Sequence, residues 1–400
     1  MHTIKVLHKL LRQSVPSIHT TRLDAVMATV QSAVYGARAT VTSLGRGLTG
    51  KAYDKHKIKR VDRLLSNSFL YQERYAVYLA LTRRLLQHAP EAIIAIDWSP
   101  LCADQQWHLL RAAIPVGGRS LTLYEEVHPR SKLGNRKIQH QFLDRLATMI
   151  PTTCQPIIVA DAGFRTPFFR YLEDQFNWHW VGRIRSRDFI RWHDRVDAWF
   201  GAKLLHPRAT TVARRLGVVD WVRRQPLCAI IVLVRHAKKY RKSLTYTGIK
   251  RQSRRESIQL KRASEPWLLV ASLSLHQRTP RQIVTIYKTR MQIEEGFRDC
   301  KAVHYGLCLS QHRRMSLQRR SVLCLIAACA VFILWCVGVA GSQTEIAGQI
   351  RVNSSSKRKP YSTIFLARLL LSQSHFRLSN KAIMDSLNHI NIYMRSVLCK

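Results

Sequence analysis

Between residues 91 and 185 the chain alternates unbroken apolar runs with stretches of helical spacing. "AIIAIDW" (92–98) has five apolar residues in a row before an aspartate. That texture predicts a short strand buried on both faces. "WHLLRAAIPV" (107–116) and "RSLTLYEEV" (119–127) follow, separated by Gly117–Gly118, and predict a hairpin. "KIQHQFLDRLATMI" (137–150) repeats apolar residues at helical spacing. "PIIVAD" (156–161) is a second buried strand, and "NWHWVGRIR" (177–185) is an alternating one. The order β-β-β-α-β-α-β predicts a mixed α/β sheet.

The pattern differs on either side. Residues 1–85 read as basic and mostly helical. Residues 186–265 read as short strands and turns, and "EPWLLVASLSL" (265–275) returns to strand character. "TPRQIVTIYKTRMQIEEGFRDCKAV" (279–303) predicts one continuous helix, with Thr279 as N-cap and Pro280 at its first position. "SVLCLIAACAVFILWCVGVAG" (321–341), preceded by Arg319 and Arg320, is long enough to span a bilayer. It is the single run of that kind and its flanks are basic and hydrophilic, so a buried core helix competes with a membrane anchor. No internal repeat is visible.

Charge changes the picture. The 400 residues include 65 Lys+Arg and 24 Asp+Glu, a formal net charge of +41. Such a field favours a polyanionic partner, and nucleic acid leads because neutralised phosphates release counterions. An anionic membrane surface fits less well, since the charge is spread along the whole chain. Within 235–262, eleven Lys/Arg face one acid, Glu256; this is either a solvated loop or one that contacts DNA. "AYDKHKIKRVDRLLSN" (52–67) carries Lys55, Lys57, Lys59, Arg60 and Arg63. A helix there either lays its basic side on phosphates or presents a solvated face. The nine cysteines include no Cys-x-x-Cys, so neither a disulfide framework nor a zinc knuckle is supported, and a reducing cytoplasm fits.

The scarce acids then become informative. Asp97 and Asp161 each close an apolar strand run, and ligands of α/β sheets gather at the carboxyl ends of strands. A capping or turn role is the alternative for either one. On a continuous helix with Tyr287 at zero, Arg290, Glu294 and Lys301 fall at about −60°, −20° and −40°. The apolar stripe of Ile286, Ile293 and Phe297 lies beside them. Glu294 therefore borders the buried face and Glu295 points away, although an exposed Arg290–Glu294 salt bridge is equally compatible. Three carboxylates holding two Mg²⁺ ions would suit in-line attack on a phosphodiester.

These residues resemble a known family. Tyr287-x₂-Arg290-x₃-Glu294-x₆-Lys301 matches the Tyr-Arg-Glu-Lys signature of insertion-sequence-four family transposases. "AIDWS" (95–99), "GRSLTLYEE" (118–126), "IVADAGFR" (158–165), "EPW" (265–267) and "YKTRMQIEEGFRD" (287–299) are similar to the insertion-sequence-ten branch. The resemblance implies an RNase H-like core with an Asp97, Asp161, Glu294 triad and two Mg²⁺ ions, with Mn²⁺ a possible substitute. It implies a β-rich insertion between Asp161 and Glu294, and cut-and-paste transposition through a hairpin on the transposon end. The partners implied are double-stranded inverted-repeat ends and target DNA, bridged by a homodimer. The implied divisions are a helical DNA-binding region at 1–88, core at 89–185, insertion at 186–265, core at 266–342 and a helical region at 343–400. Tyr287, Arg290 and Lys301 would contact phosphates near the cleaved end, and Trp267 would stack on a flipped base or else serve as a strand-core aromatic. End binding would fall to the N-terminal helices, with Lys55, Lys57, Lys59 and Arg60. In such enzymes an apolar helix after the acidic one packs in the core, so 321–341 is expected to be buried, with no membrane span and a cytoplasmic, nucleoid-associated location. A transposase-derived, DNA-binding repressor without catalysis is the alternative.

Overall fold

The most apolar run of the chain folds as the helix Leu317–Gly341, and elements from both ends of the sequence cover it. The structure is a computed structural model that describes residues 2–36, 38–195, 198–236, 265–303, 306–312, 314–350, 361–373 and 375–399. It divides into two compact units. One is Met1–Gln155 with Arg290–Ser396, and the other is Pro156–Thr289 with Val397–Lys400. Most of the basic run at 235–262 lies outside the described residues.

In the first unit, helix Leu317–Gly341 has the length and composition to cross a membrane, but 94% of its most apolar window is buried inside the protein. It is apolar all round, as a core helix must be. Helices His2–Ser14, Thr20–Gly36, Asp54–Leu65, Ser68–Leu86 and Thr363–Ser372 pack on it. Helix Thr363–Ser372 comes very close at Gly338. A Cβ there would overlap the Thr363 carbonyl oxygen, so no larger residue fits.

Three antiparallel strands complete this unit: β1 (Glu91–Pro100), β2 (Trp107–Pro115) and β3 (Ser120–Pro129). Gly117 and Gly118, both at positive φ, make the β2–β3 turn. The apolar run of β1 closes at Asp97, but the strand does not end there. It continues to Pro100 because Trp98, Ser99 and Pro100 stay in register with Leu110, Leu109 and His108. Asp97 is therefore a paired position within β1, opposite Arg111, which in turn is opposite Glu125. Cross-strand neighbours share a face, and this row of charges lies on the face that receives helix Met291–Lys301. Arg111 Nε donates to Glu125 at 2.7 Å, with both side chains at most 2% exposed. Tyr78 OH donates to the other Glu125 oxygen at 3.0 Å. Arg111 also donates to Cys300 Sγ at 3.4 Å, and its guanidinium lies 4.8 Å from the Phe297 ring centre.

The second unit orders its strands β4 (Gln155–Ala160), β5 (His179–Arg183), β10 (Trp267–Ala271), β9 (Leu227–Val234), β8 (Arg214–Trp221), β6 (Phe189–Trp192) and β7 (Phe200–Gly201). β4 and β5 are parallel, and helix Thr166–Phe176 makes the crossover that a parallel pair requires. That helix ends at Asn177, which is left-handed at φ 51°. The remaining pairs, from β5–β10 outward, are antiparallel. Phe169 packs between Trp180 and Trp221, at 4.6 and 5.7 Å between ring centres.

The expected continuous helix over 279–303 is interrupted. Pro280–Lys288 and Met291–Lys301 are separate helices. Thr279 caps the first with a full capping box to Gln282. The break comes from Thr289. Its N–H and its hydroxyl both donate to the Ile286 carbonyl, at 3.1 and 2.7 Å, which occupies the acceptor that Arg290 N–H would use in an unbroken helix. The boundary between the two units falls at the same place. Arg290, Glu294 and Lys301 are related within their own unit.

Removing one member of the Arg111–Glu125 pair strands a buried charge. Arg111→Ala is expected to destabilise the fold by about 3–5 kcal/mol, while a double replacement by Met and Leu should be close to neutral. Chemical denaturation of the single and double variants measures the difference. A single variant as stable as the parent would show that the pair does not hold the fold.

Candidate active site

In the first unit the structure brings together Asp97, Arg290, Glu294 and Lys301. Arg290 precedes helix Met291–Lys301, and its guanidinium forks. Nη1 reaches Asp97 Oδ2 at 3.2 Å and Nη2 reaches Glu294 Oε1 at 2.7 Å. The other Asp97 oxygen accepts from the Trp98 N–H at 2.8 Å. One cation thus serves two carboxylates that would otherwise repel each other. Asp97 is largely enclosed, with 14% of its side chain exposed, whereas Glu294 keeps 45%.

Glu295 is engaged elsewhere. It pairs with Arg298 at 2.9 Å and with Arg119 at 3.4 Å. Arg119 also pairs with Asp299 at 2.9 Å. Burial pushes the Asp299 carboxyl up to about 6 against the pull of Arg119. The two adjacent glutamates therefore face different surroundings, Glu294 beside Asp97 and Glu295 in an arginine cluster. Lys301, at the far end of the helix, donates to Ser99 Oγ at 2.6 Å and to the Pro100 carbonyl at 3.0 Å. Burial, and then the nearby Arg111 charge, pull its pKa below the usual lysine value.

Gln292 fixes the first turn of this helix. Its Oε1 accepts the N–H groups of Val116, Gly117 and Gly118 at 3.1, 3.0 and 2.9 Å. Its Nε2 donates to Tyr393 OH at 2.5 Å. The hairpin tip, the acidic helix and helix Asn380–Leu398 are joined through this one amide.

The second unit holds the remaining predicted residues. Asp161 directly follows β4 and is half-buried. Its Oδ1 accepts the Gly163 N–H at 2.7 Å. A Cβ on residue 163 would lie 2.7 Å from that same oxygen, so a side chain there would push the Asp161 carboxylate out of this position. Arg185 donates to the Ala162 carbonyl, and to that of Gly163 at 3.1 Å, clamping the turn from outside. Trp267 opens β10, half-buried, between His236 at 4.2 Å and Tyr287 at 5.1 Å, both near perpendicular. Tyr287 itself is buried. Lys55, Lys59 and Arg60 are exposed on helix Asp54–Leu65 and Lys57 is half-buried. The core face of that helix is Val61, Leu64 and Leu65, so the basic face turns to solvent.

Two carboxylates already sharing one cation, both offering oxygen donors, are chemically suited to hard divalent ions. The family profile of the transposase DDE domain matches residues 88–333, more than half of the chain. The chain belongs to this transposase family. Its mixed α/β architecture is consistent with the RNase H-like fold of DDE transposases, which generally use divalent metal ions and act on DNA. No curated protein matches the chain. Four residues that support these side chains were not singled out from sequence: Arg111, Glu125 and Gln292 in the first unit, and Arg185 in the second. Arg111 had a signal, a charge in the middle of an apolar strand run. Glu125 belongs to a second adjacent glutamate pair in an acid-poor chain.

Gln292→Ala should speed amide hydrogen exchange at Gly117 and Gly118, while Val116, which also donates to the Arg119 carbonyl at 2.8 Å, and the core of β2 stay protected. Unchanged exchange at the two glycine amides would show that Gln292 does not hold the hairpin tip.

Proposed function

We propose that this transposase works by a cut-and-paste route, in the manner of the insertion-sequence-ten branch of the insertion-sequence-four family. The observation that carries the reading is the Arg290 fork between Asp97 and Glu294. It is supported by family membership and by the Tyr-Arg-Glu-Lys spacing. Asp97, Asp161 and Glu294 would hold two Mg²⁺ ions, with Mn²⁺ a substitute. When bound, the ions would activate the attacking oxygen and stabilise the leaving one.

The protein's own groups position the DNA. Arg290 offers a planar fork of donors to a phosphate near the cleaved end, and Lys301 a point charge. Tyr287 is assigned to the same phosphates, and Trp267 to stacking on a flipped base. Lys55, Lys57, Lys59 and Arg60 bind the inverted-repeat ends through the backbone. A homodimer bridges two ends and delivers them to target DNA. The reaction is four in-line displacements at phosphorus. Water nicks one strand and frees a 3′-hydroxyl. That hydroxyl attacks the opposite strand, closing a hairpin and releasing flanking DNA. Water reopens the hairpin, and the 3′-hydroxyl then attacks the target. Each step makes one P–O bond and breaks one.

The test uses purified protein and a labelled duplex carrying the element's own end, with Mg²⁺ or with EDTA. Nicks and hairpins should form with Mg²⁺, vanish in EDTA, and vanish in Asp97→Ala, Asp161→Ala and Glu294→Ala while end binding persists. Tight end binding with no cleavage under any divalent metal would overturn the proposal and favour a repressor. Glu295→Ala should be much milder, because Glu295 is tied to Arg119 and Arg298; loss as severe as in Glu294→Ala would reverse their assignment. Trp267→Ala should reduce hairpin yield more than the first nick, and an unaltered yield removes Trp267 from the site.

A further inference from the structure

Outside the candidate active site, the second unit contains a cluster of metal-ligating side chains drawn from neighbouring strands. Arg191 on β6 lies opposite Asp220 on β8, and Asp220 lies opposite Cys228 on β9. His193 follows β6, and its backbone N–H donates to the Val218 carbonyl at 3.1 Å. Its Nδ1 is 2.8 Å from Asp220 Oδ1. The other Asp220 oxygen, Oδ2, accepts from Arg191 through Nη2 at 2.7 Å and Nε at 3.2 Å. The donor atoms of His193, Asp220 and Cys228 all lie within 4.8 Å of one another.

We propose that His193, Asp220 and Cys228 form a three-ligand site for a zinc-class divalent cation. The donor set is one imidazole, one carboxylate and one thiol. That combination selects Zn²⁺ over Mg²⁺, which takes oxygen ligands. Arg191 occupies Oδ2 and turns Oδ1 toward His193 and Cys228, the part an outer partner plays in orienting a metal ligand. Asp220 is 10% exposed and His193 55%, so the anchoring ligand is fixed while the site opens to solvent on the histidine side. A fourth position is left for water. A salt bridge explains the His193–Asp220 contact without a metal, but it does not account for a free thiol placed directly opposite the carboxylate. On binding, Cys228 releases its proton to solvent as the sulfur–metal bond forms. The ion would tie β6, β8 and β9 together at one point, apart from the DNA-cleaving chemistry.

Full-length protein, treated with chelator and dialysed, is titrated with Co²⁺ as a spectroscopic probe and then with Zn²⁺. The expected result is a thiolate-to-cobalt charge-transfer band that saturates at one ion per chain and is bleached by Zn²⁺. The band should disappear in Cys228→Ser and in His193→Ala. It should persist in Cys399→Ser, which removes the exposed thiol, and in Glu294→Ala. No thiolate band in the parent, or a band surviving Cys228→Ser, overturns the site. Thermal melting guards against a folding defect. Zn²⁺ should raise the melting temperature of the parent and not that of a Cys228→Ser protein with the same melting temperature in chelator. An equal rise in both also overturns the site.

Discussion

The buried pair of Arg111 and Glu125 is the interaction on which the first unit is organised. Two charges removed from water are tolerated when good geometry and further hydrogen bonds meet their needs. Here Tyr78 serves Glu125, while Cys300 and the Phe297 ring serve Arg111. Four elements meet in this small network: β2, β3, helix Ser68–Leu86 and the acidic helix. The network fixes the acidic helix against the sheet face that also carries Asp97. The closeness of Glu294 to Asp97 follows from that seating.

A chain with 24 acids among 65 basic residues places its carboxylates selectively. Glu126 is a buried case. Burial pushes its carboxyl up, but hydrogen bonds from His128, Tyr124 and Arg145 overcome that and hold it below the usual range. Glu295 and Asp299 share Arg119. Asp220 holds Arg191 and His193. Glu294 differs from these in its exposure: it keeps 45% of its side chain open while Arg290 also holds Asp97. Such a place suits reversible engagement, where the others suit fixed structure.

Much of the fold was legible because it is written locally. Unbroken apolar runs marked β1 and β4, a glycine pair marked the β2–β3 turn, and Thr279 with Pro280 marked a helix start. The break at Thr289 was not legible, since its sequence is helical and one hydroxyl decides which carbonyl goes to which donor. Register was also hidden. Nothing near Arg111 in sequence says that Asp97 and Glu125 will flank it, and His193, Asp220 and Cys228 come from three separate segments. Among the candidate residues, Asp97 and Asp161 were marked by the apolar runs they close and Arg290 and Glu294 by their spacing, whereas Gln292 in the first unit and Arg185 in the second act through backbone groups that a sequence does not display.

The buried helix Leu317–Gly341 has a consequence for the birth of the protein. A nascent segment this apolar is a substrate for membrane-insertion machinery as readily as for folding. The elements that cover it are made in an uneven order: the N-terminal helices and β3 precede it in the chain, and helix Thr363–Ser372 follows. Chains fold from the N-terminus during synthesis. By the time the segment emerges, a receiving surface from residues 1–155 is already outside the ribosome. Order of synthesis thus favours burial, a distinction that composition alone does not make.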